Sequence, residues 1–151
     1  MPEAKIFVSL SEQRLYLLSG SMVVAVYGCS TSAKGSGTEE GSNKTPKGRF
    51  RVAEMGGAGT PLRAVFRSRL PTGELGAEED PEDLVTTRYL WLDGLDPDNA
   101  NTRARYIYIH GTNHEREIGT PGGHGCVRLR NGDVAELYEL VVVGTQVLIA
   151  N

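Results

Sequence analysis

Cysteine is scarce in this chain: Cys29 and Cys126 are the two among 151 residues. No Cys-x-x-Cys or His-Glu-x-x-His pairing occurs, which argues against a zinc site built on short paired spacings. One disulfide could be formed by count, but it would consume the thiol argued below to be a nucleophile, so both cysteines are expected to be free. Positive charge is not in surplus, with 16 Lys and Arg against 19 Asp and Glu and a net charge of −3. A nucleic-acid surface calls for a basic stripe and a high pI, so nucleic acid is not an expected partner. No run approaches the roughly 18 apolar residues of a membrane-spanning helix. Met1-Pro2-Glu3-Ala4-Lys5 has no apolar h-region, so either the chain stays inside or an export signal lies outside this sequence.

Glycine, by contrast, is abundant at 19 residues, which favours turns and tight loops over a helix bundle. The length suits one domain over residues 1–151. Ile6, Val8 and Leu10 share one parity, Leu15 and Leu17 repeat the alternation, and Met22 to Cys29 is a β-branched run suited to a more buried strand. Residues 31–45 are nearly devoid of apolar side chains and predict a solvated loop. Phe50 and Val52 should face inward. Residues 54–87 hold glycines, prolines and an acidic run from Glu78 to Asp83; they read as an insertion, with a short strand at Val65-Phe66, forming either a wall or plain surface. The acidic run itself predicts a solvated face.

Further along, Tyr89 and Trp91 oppose Leu90 and Leu92 in a strand over 88–92. Trp91 predicts core or cleft lining. Asp133 and Glu136 have capping-box spacing, and Val134, Leu137, Tyr138 and Val141 give the stripe of an amphipathic helix ended by Gly144-Thr145. Gln146 to Ile149 returns as a strand. The fold class is mainly β with one amphipathic helix in the C-terminal region.

All three histidines and one cysteine fall in HGTNHEREIGTPGGHGCVR, from His110 to Arg128. A thiol is a strong nucleophile as thiolate, and an unperturbed pKa of roughly 8.5 leaves only a few per cent ionised at neutral pH. Cys126 therefore needs a base or a positive field nearby. Ile107 and Ile109 should face the core of a strand, with His110 emerging on the opposite face as a general base. Gly122, Gly123 and Gly125 permit unusual backbone conformations and close approach to main-chain N–H groups, which can form an oxyanion hole. Beyond them Val127 and Leu129 share one parity, Cys126 and Arg128 the other, so thiol and guanidinium should appear together on the exposed face.

His110-Gly111-Thr112-Asn113, followed by His124-Gly125-Cys126-Val127-Arg128, resembles the signature of the L,D-transpeptidase catalytic domain (YkuD-like family). Thr45-Pro46-Lys47-Gly48-Arg49-Phe50 and the initial LSEQRLYLL segment resemble the same family, whose fold is β-sandwich-like. At Gly123 the family usually carries Ser or Thr. At the position of Arg128 it carries Asn or Arg.

The resemblance implies a cysteine acyltransferase acting on peptidoglycan tetrapeptide stems through a thioester, releasing D-alanine and cross-linking third residues. It implies Cys126 as nucleophile, His110 as base, the Gly111 carbonyl as its orienter and His124 as support. Gly123, Gly125, Asn113 and Arg128 are the implied substrate contacts, Arg128 offering a fork of donors to a substrate carboxylate. No cofactor or metal is implied, carbapenem-type inhibitors are expected to acylate the thiol, and the cell envelope or periplasm is the expected location. Three rivals share these residues: an L,D-carboxypeptidase in which water resolves the thioester, a wall-binding module without catalysis, and a metal site at His110, His114, His124 and Cys126.

Overall fold

The computed structural model describes residues 4–151. It is mostly β, with one α-helix. The strands are β1 (Ala4–Ser9), β2 (Arg14–Ser19), β3 (Met22–Ser30), β4 (Gly48–Gly56), β5 (Ala64–Arg67), β6 (Leu70–Leu75), β7 (Val85–Gly94), β8 (Tyr108–Gly111), β9 (Val127–Leu129) and β10 (Gln146–Ala150); the helix is α1 (Asn131–Leu140). They join in the order β4-β10-β1-β2-β3-β9-β8-β7-β5-β6, and an added β4–β7 pairing closes the sheet on itself. Closure removes most of the unpaired edge, leaving β5 and β6 as a hairpin beside β7. The β1–β10 and β8–β9 pairings are parallel.

Alternation decides what lies inside. Ile6, Val8, Leu15, Leu17, Phe50, Val52, Leu90, Leu92, Ile109, Val127, Leu129, Val147 and Ile149 fill the interior, joined by Val134, Leu137 and Val141 of α1. Since successive side chains of a strand point to opposite faces, the outer face of β7-β8-β9 receives Tyr89, Trp91, Tyr108, His110 and Arg128, with Cys126 just ahead of β9. A second, smaller apolar cluster of Ala64, Phe66, Tyr89 and Tyr108 forms there, and Cys126 packs against it.

Four expectations are corrected. Met22, Val23, Val24 and Val26 of β3 are exposed rather than buried; the strand is buried at its other end, at Tyr27, Cys29 and Ser30. A β-branched run shows a strand's propensity but not which of its faces is covered. Asp133 and Glu136 form no capping box: α1 begins at Asn131, behind Arg130. The Glu115 carboxylate instead accepts the Asn131 N–H at 2.7 Å, placing negative charge at the helix N-terminus from a distant segment. The helix also ends earlier than Gly144, at Leu140, with Val141 already extended. Finally, residues 54–87 are not an irregular insertion but carry the end of β4, the β5–β6 hairpin and the start of β7.

Candidate active site

The β8–β9 ladder pairs Ile109 with Val127 and His110 with Arg128. Cys126 directly precedes β9, and its sulfur meets the backbone of Tyr108, two residues before His110 on β8, so thiol and imidazole belong to neighbouring positions along one strand. The thiol is half-buried; its sulfur accepts the Tyr108 N–H at 3.3 Å and its S–H faces the Tyr106 carbonyl at 3.5 Å. Tyr106 can present that carbonyl because it turns through a left-handed φ of 58° immediately before β8.

His110 is buried, and its Nδ1 lies 2.5 Å from the Gly111 carbonyl oxygen. A carbonyl only accepts, so Nδ1 carries the proton and Nε2 is left as the basic nitrogen of the neutral ring. Burial lowers the His110 pKa; the Gly111 carbonyl and Asp83 oppose this, and Arg128 adds to it. Burial pushes the Cys126 thiol up to about 11; the Tyr108 N–H, Arg105 and Arg128 work against that rise, and Asp83 adds to it. Both shifts favour the uncharged forms, thiol and imidazole, at neutral pH.

This arrangement predicts a pH profile. A general base at His110 would act in its neutral form, and the His110 pKa is depressed, so acylation should hold steady down through the ordinary histidine range near 6.5 and fall only below it. Stability has the same sign: the share tied to a neutral, buried His110 is present above the unfolded-state value and is lost as pH falls through the lowered folded one. Acylation rates across pH 4–8, followed by intact mass, check it; a fall already centred above 6.5 would contradict it.

Gly125 has a φ of 122°, and a Cβ there would sit 3.1 Å from the Lys44 carbonyl oxygen, so both conformation and space call for glycine. Among the described residues, the amides of His124, Gly125 and Cys126 donate to no other backbone carbonyl. Arg105 holds the opposite loop in place, donating to the Lys44 carbonyl at 2.7 Å and the Gly37 carbonyl at 3.3 Å. The ends of that 31–45 segment are buried at Thr31, Ser32 and Thr45, more tightly held than its composition suggested.

Several residues lie otherwise than expected. Arg128 is not displayed beside the thiol: its side chain is 1% exposed, and it donates to Asp83 at 3.2 Å, Glu117 at 2.6 Å and Ser30 at 2.7 Å. Both terminal nitrogens of its fork are engaged by the protein's own oxygens. Asn113 is also buried and spent internally, accepting the Leu84 N–H at 3.0 Å and donating to the carbonyls of Ala77, Asp80 and Glu82. It clasps the segment ahead of β7. His124 is largely exposed and pairs with Asp83 at 3.2 Å. His114 faces the Asp80 carbonyl at 2.6 Å; the three histidines thus serve different partners, and no metal-holding cluster forms among the described residues.

Gly123 has a steric reason here. A Cβ would come within 2.9 Å of Arg128 Nε, and one on Gly122 within 2.5 Å of Glu117 Oε1. Both glycines make room for the Arg128–Glu117 pair. Arg128 Nε itself is a buried donor without a partner, at the place where a serine or threonine at 123 would begin its side chain.

Asp83, Glu117 and Ser30 were missed by sequence reasoning. Asp83 was assigned with the acidic run to a solvated face, yet its side chain is only 17% exposed and touches both His124 and Arg128. Nothing local distinguishes it from its acidic neighbours; what does so is the return of residues 76–84 across β8, fastened by Asn113.

Residues 3–149 match the family model described as the L,D-transpeptidase catalytic domain, YkuD. The chain belongs to the L,D-transpeptidase catalytic-domain family. It is 49% identical over 106 residues to a putative L,D-transpeptidase, YkuD, of Bacillus subtilis, covering 70% of this chain and 45% of that one. A probable L,D-transpeptidase of Escherichia coli, YbiS, is 36% identical over 107 residues, covering 71% of this chain and 28% of its own length. The chain thus spans less than half the length of these relatives. In fold it is similar to the L,D-transpeptidase of Xylanimonas cellulosilytica, at a TM-score of 0.64 and 21% identity, covering 97% of this chain and 60% of that one. In this chain the closed sheet sets β8, which carries His110, beside β9, which follows Cys126.

Proposed function

We propose that this chain is a cysteine-dependent L,D-transpeptidase of peptidoglycan tetrapeptide stems, working through a thioester and cross-linking third residues in the cell envelope. The observation that supports the reading is that β8 carries both His110, its imidazole tautomer set by Gly111, and Tyr108, whose N–H meets the Cys126 sulfur. Cys126 attacks the carbonyl between the third residue and D-alanine as its proton passes to His110 Nε2. The amides at Gly125 and Cys126 take the developing oxyanion. In other enzymes one such donor is worth about 2.7–4 kcal/mol of barrier. The C–N bond then breaks, the imidazolium returns its proton to the leaving D-alanine amine, and the thioester remains. An amine on a neighbouring stem attacks it next, forming the cross-link and restoring the thiol.

The thiol's pKa near 11 gives His110 its importance, because little thiolate exists at neutral pH without it. His110→Ala should slow acylation by roughly 100- to 10,000-fold at pH 7 and should make the remaining rate climb with pH toward 11. An unchanged rate at pH 7 would remove the imidazole from its role. A solved relative, LdtMt1, is described in complex with imipenem, so a carbapenem is a suitable acylating probe.

Incubation with purified tetrapeptide stems, followed by mass, tests the function itself. Stem dimers with loss of D-alanine support transfer, and D-alanine release without dimers moves the assignment to an L,D-carboxypeptidase. Neither product, together with no carbapenem adduct on Cys126, would leave a wall-binding module.

A further inference from the structure

In the β5–β6 hairpin every residue of β6 is exposed, whereas Ala64, Val65 and Phe66 of β5 are buried. Its turn consists of two residues, Ser68 and Arg69, between the paired Arg67 and Leu70. Both have left-handed φ angles, 49° and 68°. Such a turn is ordinarily supplied by Asn-Gly or Asp-Gly, because a positive φ at two successive positions disfavours longer side chains. Arginine at the second position is thus not explained by the turn.

What Arg69 does instead is reach back over the site. Its guanidinium lies 4.4 Å from the Trp91 ring centroid and 5.6 Å from that of Tyr106, two rings that stack on each other. It also donates to the Tyr108 hydroxyl at 3.2 Å. Tyr108 is the residue whose N–H meets the Cys126 sulfur, so guanidinium and thiol stand at the two ends of one tyrosine. Of the arginines near the site, Arg67 is paired with Glu82, Arg103 with Glu54 and Arg128 with Glu117 and Asp83, while Arg105 is occupied by the Lys44 and Gly37 carbonyls. Among the described residues, no carboxylate lies within ion-pair distance of Arg69. The side chain is half-buried, ordered on two aromatic faces and one hydroxyl, with the rest of its five-donor fork open.

We infer that Arg69 is a specificity-determining residue that receives a carboxylate of the acyl-donor stem peptide beside Cys126. The inference rests on the function proposed above and adds the chemistry of its donor. An ordered guanidinium suits a carboxylate because two parallel N–H groups match its two oxygens, and little side-chain freedom is lost on binding. The same charge repels a donor that presents an ammonium group there. Two carboxylates of a stem could fill this place: one ending the side chain of a diacid third residue, or that of the terminal D-alanine.

Three donors separate these sources: a tetrapeptide stem with a diacid third residue, the same stem amidated on that side chain, and the same stem ending in D-alaninamide. Release of D-alanine or its amide is followed by mass for the wild type, Arg69→Gln and Arg69→Lys. Arg69→Gln should raise KM for the free diacid stem roughly 10- to 100-fold, the size expected of a charge-assisted hydrogen-bonded pair, with kcat changed much less. Arg69→Lys should recover part of the loss. Amidating the recognised carboxyl should cost the wild type a similar factor and cost Arg69→Gln almost nothing more, and the amide that behaves so names the carboxylate. Equal rates of Cys126 alkylation by iodoacetamide in wild type and variants establish that the thiol is undisturbed.

Unchanged KM in Arg69→Gln, or an amide penalty as large in the variant as in the wild type, would overturn the inference while leaving the function standing. If the wild type releases nothing from any of the three donors, the proposed function itself fails and this inference falls with it.

Discussion

Cys126→Ala should abolish formation of any covalent adduct with a carbapenem or a tetrapeptide stem, lowering turnover by on the order of a thousandfold or more. Under the proposed function Cys126 supplies the nucleophile, and its removal leaves only what binding and oxyanion donors provide. The fold should hardly notice. The thiol is half-buried, and its hydrogen bonds, at 3.3 and 3.5 Å, are made by a weak donor and acceptor. Melting temperature should therefore stay within a few degrees of the wild type, so that intact mass reports chemistry and not unfolding. An adduct of full stoichiometry on Cys126→Ala would place the nucleophile elsewhere. Cys29 is no substitute: it is fully buried, and burial pushes its thiol up to about 12.

Arg128→Met should have the largest effect on stability. The guanidinium is buried and joins three otherwise separate pieces: Ser30 at the end of β3, Asp83 ahead of β7 and Glu117 in the segment between β8 and β9. Breaking a buried ion pair by removing one partner typically costs about 3–5 kcal/mol, because the other charge is left uncompensated. Here Glu117 is 42% exposed and Asp83 17% exposed, and both can recover some water, so about 2–4 kcal/mol is expected. For a chain of this length that corresponds to a fall of roughly 5–15 °C in melting temperature, measurable by calorimetry. Activity should drop as well, since Asp83 and Arg128 both act on the Cys126 and His110 pKa values. A variant as stable and active as the wild type would show that the buried network has no organising role.

These two outcomes divide the same strand. Cys126 and Arg128 have one parity and were expected to share one fate, exposure beside the substrate. The period-two rule did place them on the same face, and it placed Val127 and Leu129 in the core. It could not foresee that one end of that face is roofed by residues 80–83 and 115–117 while the other is left open. The same holds for Asn113, whose type suits substrate binding but whose amide is wholly taken by backbone groups of the 77–84 segment. A polar side chain in a signature shows its chemistry; its partner depends on which distant loop reaches it.

By itself the sequence determined the strands that alternate cleanly, the apolar parity of β1 and β2, the inward residues of β4, β8 and β9, the existence of α1, and the cysteine and histidine on adjoining segments. Each follows from local periodicity or from a short run of residues. Only the tertiary structure decided that β3 exposes its valines, that Glu115 caps α1, that Arg128 is buried among carboxylates and that Arg69 hangs over Trp91. Those outcomes depend on pairings between segments far apart in the chain, where the choice between water and a protein partner is made by whatever the closed sheet brings alongside.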